Sequence, residues 1–179
     1  MKKSKKSIID PISLAMGCTE KLMPSPEYVV SDAEIISKIE ALGNVDERDR
    51  DGRTLLMFAA LNERKSVAAY LIERGADVNA ADNIGFTPLH FAVQDHSDSV
   101  LELLLASGAN VNAQDSFGNI PLMKANMQTP LSVFEILLKH GADPIQKNNY
   151  GIAPLDVFAS REDTLSLMKS YIKESGPPV

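Results

Sequence analysis

The chain has 179 residues, one cysteine, no tryptophan, 6% aromatic residues and a formal charge of −6. A lone cysteine excludes an internal disulfide framework, and no apolar run approaches the length of a membrane-spanning helix. Of the 18 basic residues, four are lysines within residues 1–6, so the other 14 face all 24 acids, and such an acidic body is unsuited to the phosphates of DNA or RNA.

Residues 1–9, with Lys2, Lys3, Lys5 and Lys6, read as a flexible solubilising tail, a simpler reading than a nuclear-import or membrane-surface signal. Leu14 to Cys18 faintly resembles a lipoprotein processing site. Asp10 and Pro11 interrupt the apolar core such a signal needs, so an uncleaved, cytoplasmic chain is expected. Asp10-Pro11-Ile12-Ser13-Leu14-Ala15 has the spacing of Thr87-Pro88-Leu89-His90-Phe91-Ala92 further on, which suggests a degenerate first helix. A loop insertion near residues 20–30, with Pro24 and Pro26, then separates it from its partner. Ser31-Asp32-Ala33-Glu34 is a capping box, and Ile35, Ile36, Ile39 and Leu42 make the apolar stripe of a helix ending at Gly43. Residues 10–48 are therefore expected to form an N-terminal cap.

From residue 49 the chain repeats every 33 residues. Gly52, Gly85, Gly118 and Gly151 fall in phase, as do Gly75, Gly108 and Gly141. The unit 82–114 is the clearest. Asp82 and Gly85 suit the first and fourth positions of a type I turn, Thr87 an N-cap and Pro88 the first helical residue. Ser97 or Asp98 then caps a longer helix with Val100, Leu101, Leu104 and Leu105 on one side, and Gly108 stops it. The unit 49–81 departs at Leu55 and Met57. The unit 115–147 places Ile120 where the capping threonine stands, a loss of about 1 kcal/mol, and offers Thr129-Pro130 as a new start for its second helix. In residues 148–174 Ala153, Asp156 and Phe158 replace the pattern. A last helix carries Leu165, Met168 and Ile172 on one face, as expected of a terminal cap followed by a tail at 175–179.

This pattern, D-x-x-G-x-T-P-L-H-x-A through L-L-x-x-G-A-x-V-N, resembles the ankyrin repeat over roughly residues 49–172. The resemblance implies an all-α solenoid of helix-turn-helix units with β-turn fingers, about five units counting both degenerate caps. It also implies a protein-binding module that uses its fingers and a concave face of short helices. In such units His90 is a local hydrogen-bonding residue and Asn79 and Asn112 tie turns together.

Chemistry needs convergent unlike groups, and the three histidines, His90, His96 and His140, fall in different roles with no metal-ligand spacing. No phosphate loop, nucleophile elbow or zinc-protease motif is present, so no catalytic residue, metal or cofactor is expected. Specificity then lies in positions that the repeat leaves free. Before each turn glycine stand Asp51, Ile84, Phe117 and Tyr150, and after it Arg53, Phe86, Asn119 and Ile152. Arg50, Asn83, Ser116 and Asn149 come two before it. The finger tips thus pass from charged to apolar, either as a docking ridge or as side chains leaning on the next finger. A second strip is Leu61, Asn62, Gln94, Asp95, Met127, Gln128, Ser160 and Arg161 on the first helices. The expectation is a monomeric, non-enzymatic binder that inhibits or neutralises a protein partner, a basic one given Asp95 and the acidic body, with antitoxin or immunity duty as one form. A two-partner scaffold and a secreted or lipid-anchored effector are the alternatives.

Overall fold

The computed structural model describes residues 31–175. The N-terminal tail, the helix suggested at Pro11, the insertion near residues 20–30, Cys18 and residues 176–179 lie outside the described residues. Eight α-helices occur among the described residues: α1 (Asp32–Leu42), α2 (Leu55–Leu61), α3 (Lys65–Glu73), α4 (Pro88–Gln94), α5 (Asp98–Ala106), α6 (Leu131–Lys139), α7 (Pro154–Val157) and α8 (Glu162–Ser175). A 3₁₀ turn at Pro121–Lys124 stands between α5 and α6. The helices form two layers. The shorter α2, α4, the 3₁₀ turn and α7 stack on one another, and α1, α3, α5, α6 and α8 stack behind them. The chain folds as an ankyrin-type all-helical solenoid.

Local chemistry sets each helix start. Ser31 Oγ accepts the Glu34 N–H at 3.2 Å, but Glu34 itself pairs with Lys38 at 3.1 Å, so only half of the expected capping box forms. In the second unit Thr87 is the N-cap and Pro88 the first helical residue. His90 Nδ1 accepts the Thr87 N–H at 3.1 Å, and in the first unit Met57 Sδ stands 3.4 Å from the Thr54 N–H in the same place.

Each two-helix unit buries one stripe, and neighbours complete the core. Leu89, Ala92, Val100, Leu101 and Leu104 are fully buried, and so are Leu55, Leu56, Val67, Leu71, Val133 and Leu137. Removing one such leucine would cost about 2–5 kcal/mol. Asn79 and Asn112 act between units rather than within one turn. Asn79 Oδ1 accepts the Asn110 N–H at 2.7 Å while its Nδ2 donates to the Gly108 carbonyl at 3.0 Å. Asn112 repeats this with Asp143 and Gly141.

Three further details differ from expectation. Without a capping threonine at Ile120, the first helix of the third unit shrinks to the 3₁₀ turn. Pro130 is the N-cap of α6 rather than its first residue, and Thr129 Oγ1 serves the Asn126 N–H instead of a helix N–H. The buried stripe of α8 is rotated: Thr164 and Met168 are buried and Leu167 and Tyr171 pack on the core, leaving Leu165 and Ile172 beside it. Phe158, at a position that holds alanine in the clearer units, is buried edge-on to Phe134 with ring centres 5.0 Å apart.

Candidate functional site

Four fingers precede the short helices, and each is built by its first side chain. Asp82 Oδ1 accepts the N–H groups of Ile84 and Phe86 at 3.0 and 2.8 Å. Asp49, Asp115 and Asn148 make the same pair of bonds in their own fingers. The Asp82 carbonyl also accepts the Gly85 N–H at 3.0 Å, closing the turn. At Gly85 φ is +85°, and an added Cβ would lie 2.9 Å from the Asp115 Cα, so the next finger packs directly on this glycine.

The fingers are also joined along the array. The carbonyls of Asp51, Ile84 and Phe117 accept the N–H groups of Asn83, Ser116 and Asn149 at 2.9, 2.9 and 3.0 Å. Asn83 Nδ2 donates to the Arg50 carbonyl, and Asn149 Nδ2 to the Ser116 carbonyl. Side chains of the residues before the turn glycine therefore project in register. Ile84 and Phe117 are each 46% exposed and Tyr150 is 70% exposed, with Ile152 beside it also exposed.

The residues after the glycine divide. Arg53 is held by Asp49 at 2.9 Å and Asp51 at 2.7 Å and lies over the Phe58 ring. Phe86 stacks on His90, meets Phe91 edge-on at 5.7 Å and carries Lys124 Nζ 4.0 Å from its ring centre. Asn119 bonds to Asp115 and Asn148. These three are committed to internal contacts, whereas Ile84, Phe117, Tyr150 and Ile152 are not.

Gln94, Asp95, Met127 and Gln128 fall at the far ends of the short helices, about 10 Å from the fingers along a seven-residue helix. Gln94 is the last residue of α4 and Asp95 its C-cap, while Met127 and Gln128 occupy a turn rather than a helix face. Arg161 Nη1 donates to the Thr129 carbonyl at 2.7 Å and ties that turn to the fourth unit. Burial, and then the nearby Glu63 carboxylate, raise the Asp95 pKa above the usual carboxylate value.

Two titratable groups beneath the fingers depart from ordinary behaviour. Burial pushes the His90 imidazole down to about 4, although the Asn119 carbonyl facing it acts in the opposite sense. Asp115 is buried, which alone would raise its pKa. Hydrogen bonds from Lys124 and from the Asn119 and Phe117 N–H groups outweigh burial and hold it below the usual value. Among the described residues no group of three or more histidines, cysteines or acids could hold a metal ion, and no helix is long and apolar enough to cross a membrane.

One feature was not identified from sequence. A recess of about 290 Å³ opens between the first two fingers, lined by Asp51, Arg53, Asp82, Asn83, Ile84, Phe86 and Phe91. Its trace in the sequence is the replacement of Arg53 by Phe86 one repeat later.

A family model described as ankyrin repeats (3 copies) matches residues 30–115, from just before α1 to the start of the third finger. No curated protein matches the chain.

Proposed function

Because the chain is an ankyrin-repeat protein, and ankyrin repeats are a protein–protein interaction module, we propose that its row of finger tips is the surface on which a protein partner docks. The carrying observation is the exposure of Ile84, Phe117 and Tyr150 in a row whose backbones are hydrogen-bonded from finger to finger. Aromatic side chains on a fixed backbone bury much area while losing few rotamers, which is the profile of interface anchors. The row is held before any partner arrives, so little ordering entropy opposes docking. Ile152 extends the apolar end, and Asp51 with Arg50 and Arg53 provides a charged end.

On this reading the protein acts by occupancy, covering a surface its partner needs, in the manner of an inhibitor or neutraliser. A monomer in the cytoplasm and a basic partner suit the acidic body, which steers positive surfaces toward it. An affinity pull-down with the intact chain beside a folded Phe117→Ala/Tyr150→Ala variant tests the proposal. A partner captured by the parent and lost by the variant supports it. A partner kept by both places the docking surface elsewhere, with the Gln94 to Gln128 strip as the next candidate.

A further inference from the structure

In the first three fingers the first residue is an aspartate, whose second carboxylate oxygen, Oδ2, makes none of the backbone bonds that build the turn. In the first finger Asp49 Oδ2 receives Arg53 Nε at 2.9 Å, and the Arg53 guanidinium lies 5.1 Å from the Phe58 ring centre. In the third finger Asp115 Oδ2 receives Lys124 Nζ at 2.9 Å, and the same ammonium lies 4.0 Å from the Phe86 ring centre. Both acids thus hold a cation that also rests on a phenylalanine.

The second finger lacks its own. Position 86, one repeat after Arg53, is Phe86, and position 91, one repeat before Lys124, is Phe91. With both cation positions turned into phenylalanine, Asp82 Oδ2 has no partner among the described residues. The recess opens at this place, with Asp82 and Asp51 as its acids and Ile84, Phe86 and Phe91 as its apolar walls. Its one lining cation, Arg53, is already matched by Asp49 and Asp51, and Lys124 behind Phe86 is matched by Asp115. Arg48 beside the recess donates to the Gly52 and Ala81 carbonyls at 3.0 and 2.7 Å rather than to an acid, so among the lining residues Asp82 is the one charged group left without a pairing partner.

We infer that this recess takes a basic side chain, arginine or lysine, from the docked protein partner, its charged end on Asp82 Oδ2 and its aliphatic stem between Ile84 and the Phe86–Phe91 pair. The inference rests on the finger-tip reading, since Ile84 borders both the recess and the tip row. An apolar side chain would fill the walls but leave the acid unpaired. A basic one reproduces from outside what Arg53 and Lys124 do from within.

Asp82→Asn tests this without dismantling the finger. Asn148 builds the fourth finger with the same two Oδ1 bonds, at 2.9 and 3.0 Å, so the amide retains the turn and removes only the charge. Peptides selected from a random phage-displayed library on the intact chain serve as probes and are then measured as synthetic peptides by fluorescence anisotropy. The selected peptides are expected to carry an arginine or lysine whose replacement by norleucine weakens binding by about fivefold or more, as should Asp82→Asn. The two losses should not add when combined, as one shared contact requires. Peptides whose affinity Asp82→Asn leaves unchanged overturn the inference. If those same peptides are lost on Phe117→Ala/Tyr150→Ala, the finger-tip reading stands without it. Peptides indifferent to both variants overturn both readings, and so does a selection that yields no binder.

Discussion

His90 in the second unit directs Nε2 at the Asn119 carbonyl of the third, 3.3 Å away. Its Nδ1 accepts the Thr87 N–H, so the Nε2–H tautomer is the one that satisfies both contacts, and the ring must be neutral to make them. A single imidazole thereby caps one helix and grips the next finger.

Stability should accordingly fall in acid through His90. Its folded pKa of about 4 lies below the ordinary 6.5, so the unfolded chain binds the proton first. The stabilising effect is complete above about pH 6.5 and is lost as pH falls toward 4, by roughly 3 kcal/mol in all. Asp115 also has a lowered folded value, but its contribution is lost only as pH falls below the ordinary carboxylate value of 3.8, outside that window. Urea unfolding across this range should show the slope, and His90→Met, which copies Met57 of the first unit, should flatten it.

Replacing Gly85 by alanine should be far costlier than the same change at Gly151. Both have positive φ, +85° and +77°, but a Cβ at Gly85 meets the Asp115 backbone whereas one at Gly151 meets nothing within 4 Å. The conformational penalty alone is about 1–2 kcal/mol. Urea denaturation should show about that loss for Gly151→Ala and at least about 1 kcal/mol more for Gly85→Ala. Equal losses would mean that the next finger yields freely.

Glu63 and His96 are one repeat apart and share a left-handed backbone, φ 52° and 61°. Glu63→Gly should stabilise the chain by about 0.5–1 kcal/mol by relieving that conformation. His96→Gly should bring no such gain, because His96 Nε2 meets Thr129 Oγ1 at 2.8 Å and Asn126 Nδ2 at 3.3 Å in the rewritten loop of the third unit. Thermal melts of the two variants check the contrast.

The finger row should separate binding from folding. Tyr150→Ala should change stability by less than about 0.5 kcal/mol, since its ring is mostly in water. Phe86→Ala removes the contacts with His90, Phe91 and Lys124 and should cost about 2 kcal/mol or more. Chemical denaturation of both variants measures the difference.

Much of this architecture could be read locally. Thr87, Pro88 and Ser31 mark helix starts through contacts within three residues, and Val100, Leu101, Leu104 and Leu105 declare a buried face by spacing alone. Prediction failed where a neighbouring unit decides. The fate of Phe86 depends on Lys124, 38 residues away, so the same column holds an exposed Ile152 and a packed Phe86. The turn at Met127 follows the 3₁₀ turn that ends at Lys124, and Ile120 marks the lost cap without showing where the chain goes next. The recess at Asp82 is hard to read along the chain because it arises from two replacements in the second unit, Phe86 and Phe91, whose counterparts Arg53 and Lys124 act in the first and third units.

The central claim is that a partner meets the finger tips. Photo-crosslinking tests it most directly, with benzoylphenylalanine placed singly at 117 or 150 on the fingers and at 94 or 128 at the far ends of the short helices, in the cells that make the protein. The account predicts one crosslinked partner band from 117 and 150 and none from 94 and 128. A band from 94 or 128 with nothing from the fingers would contradict it.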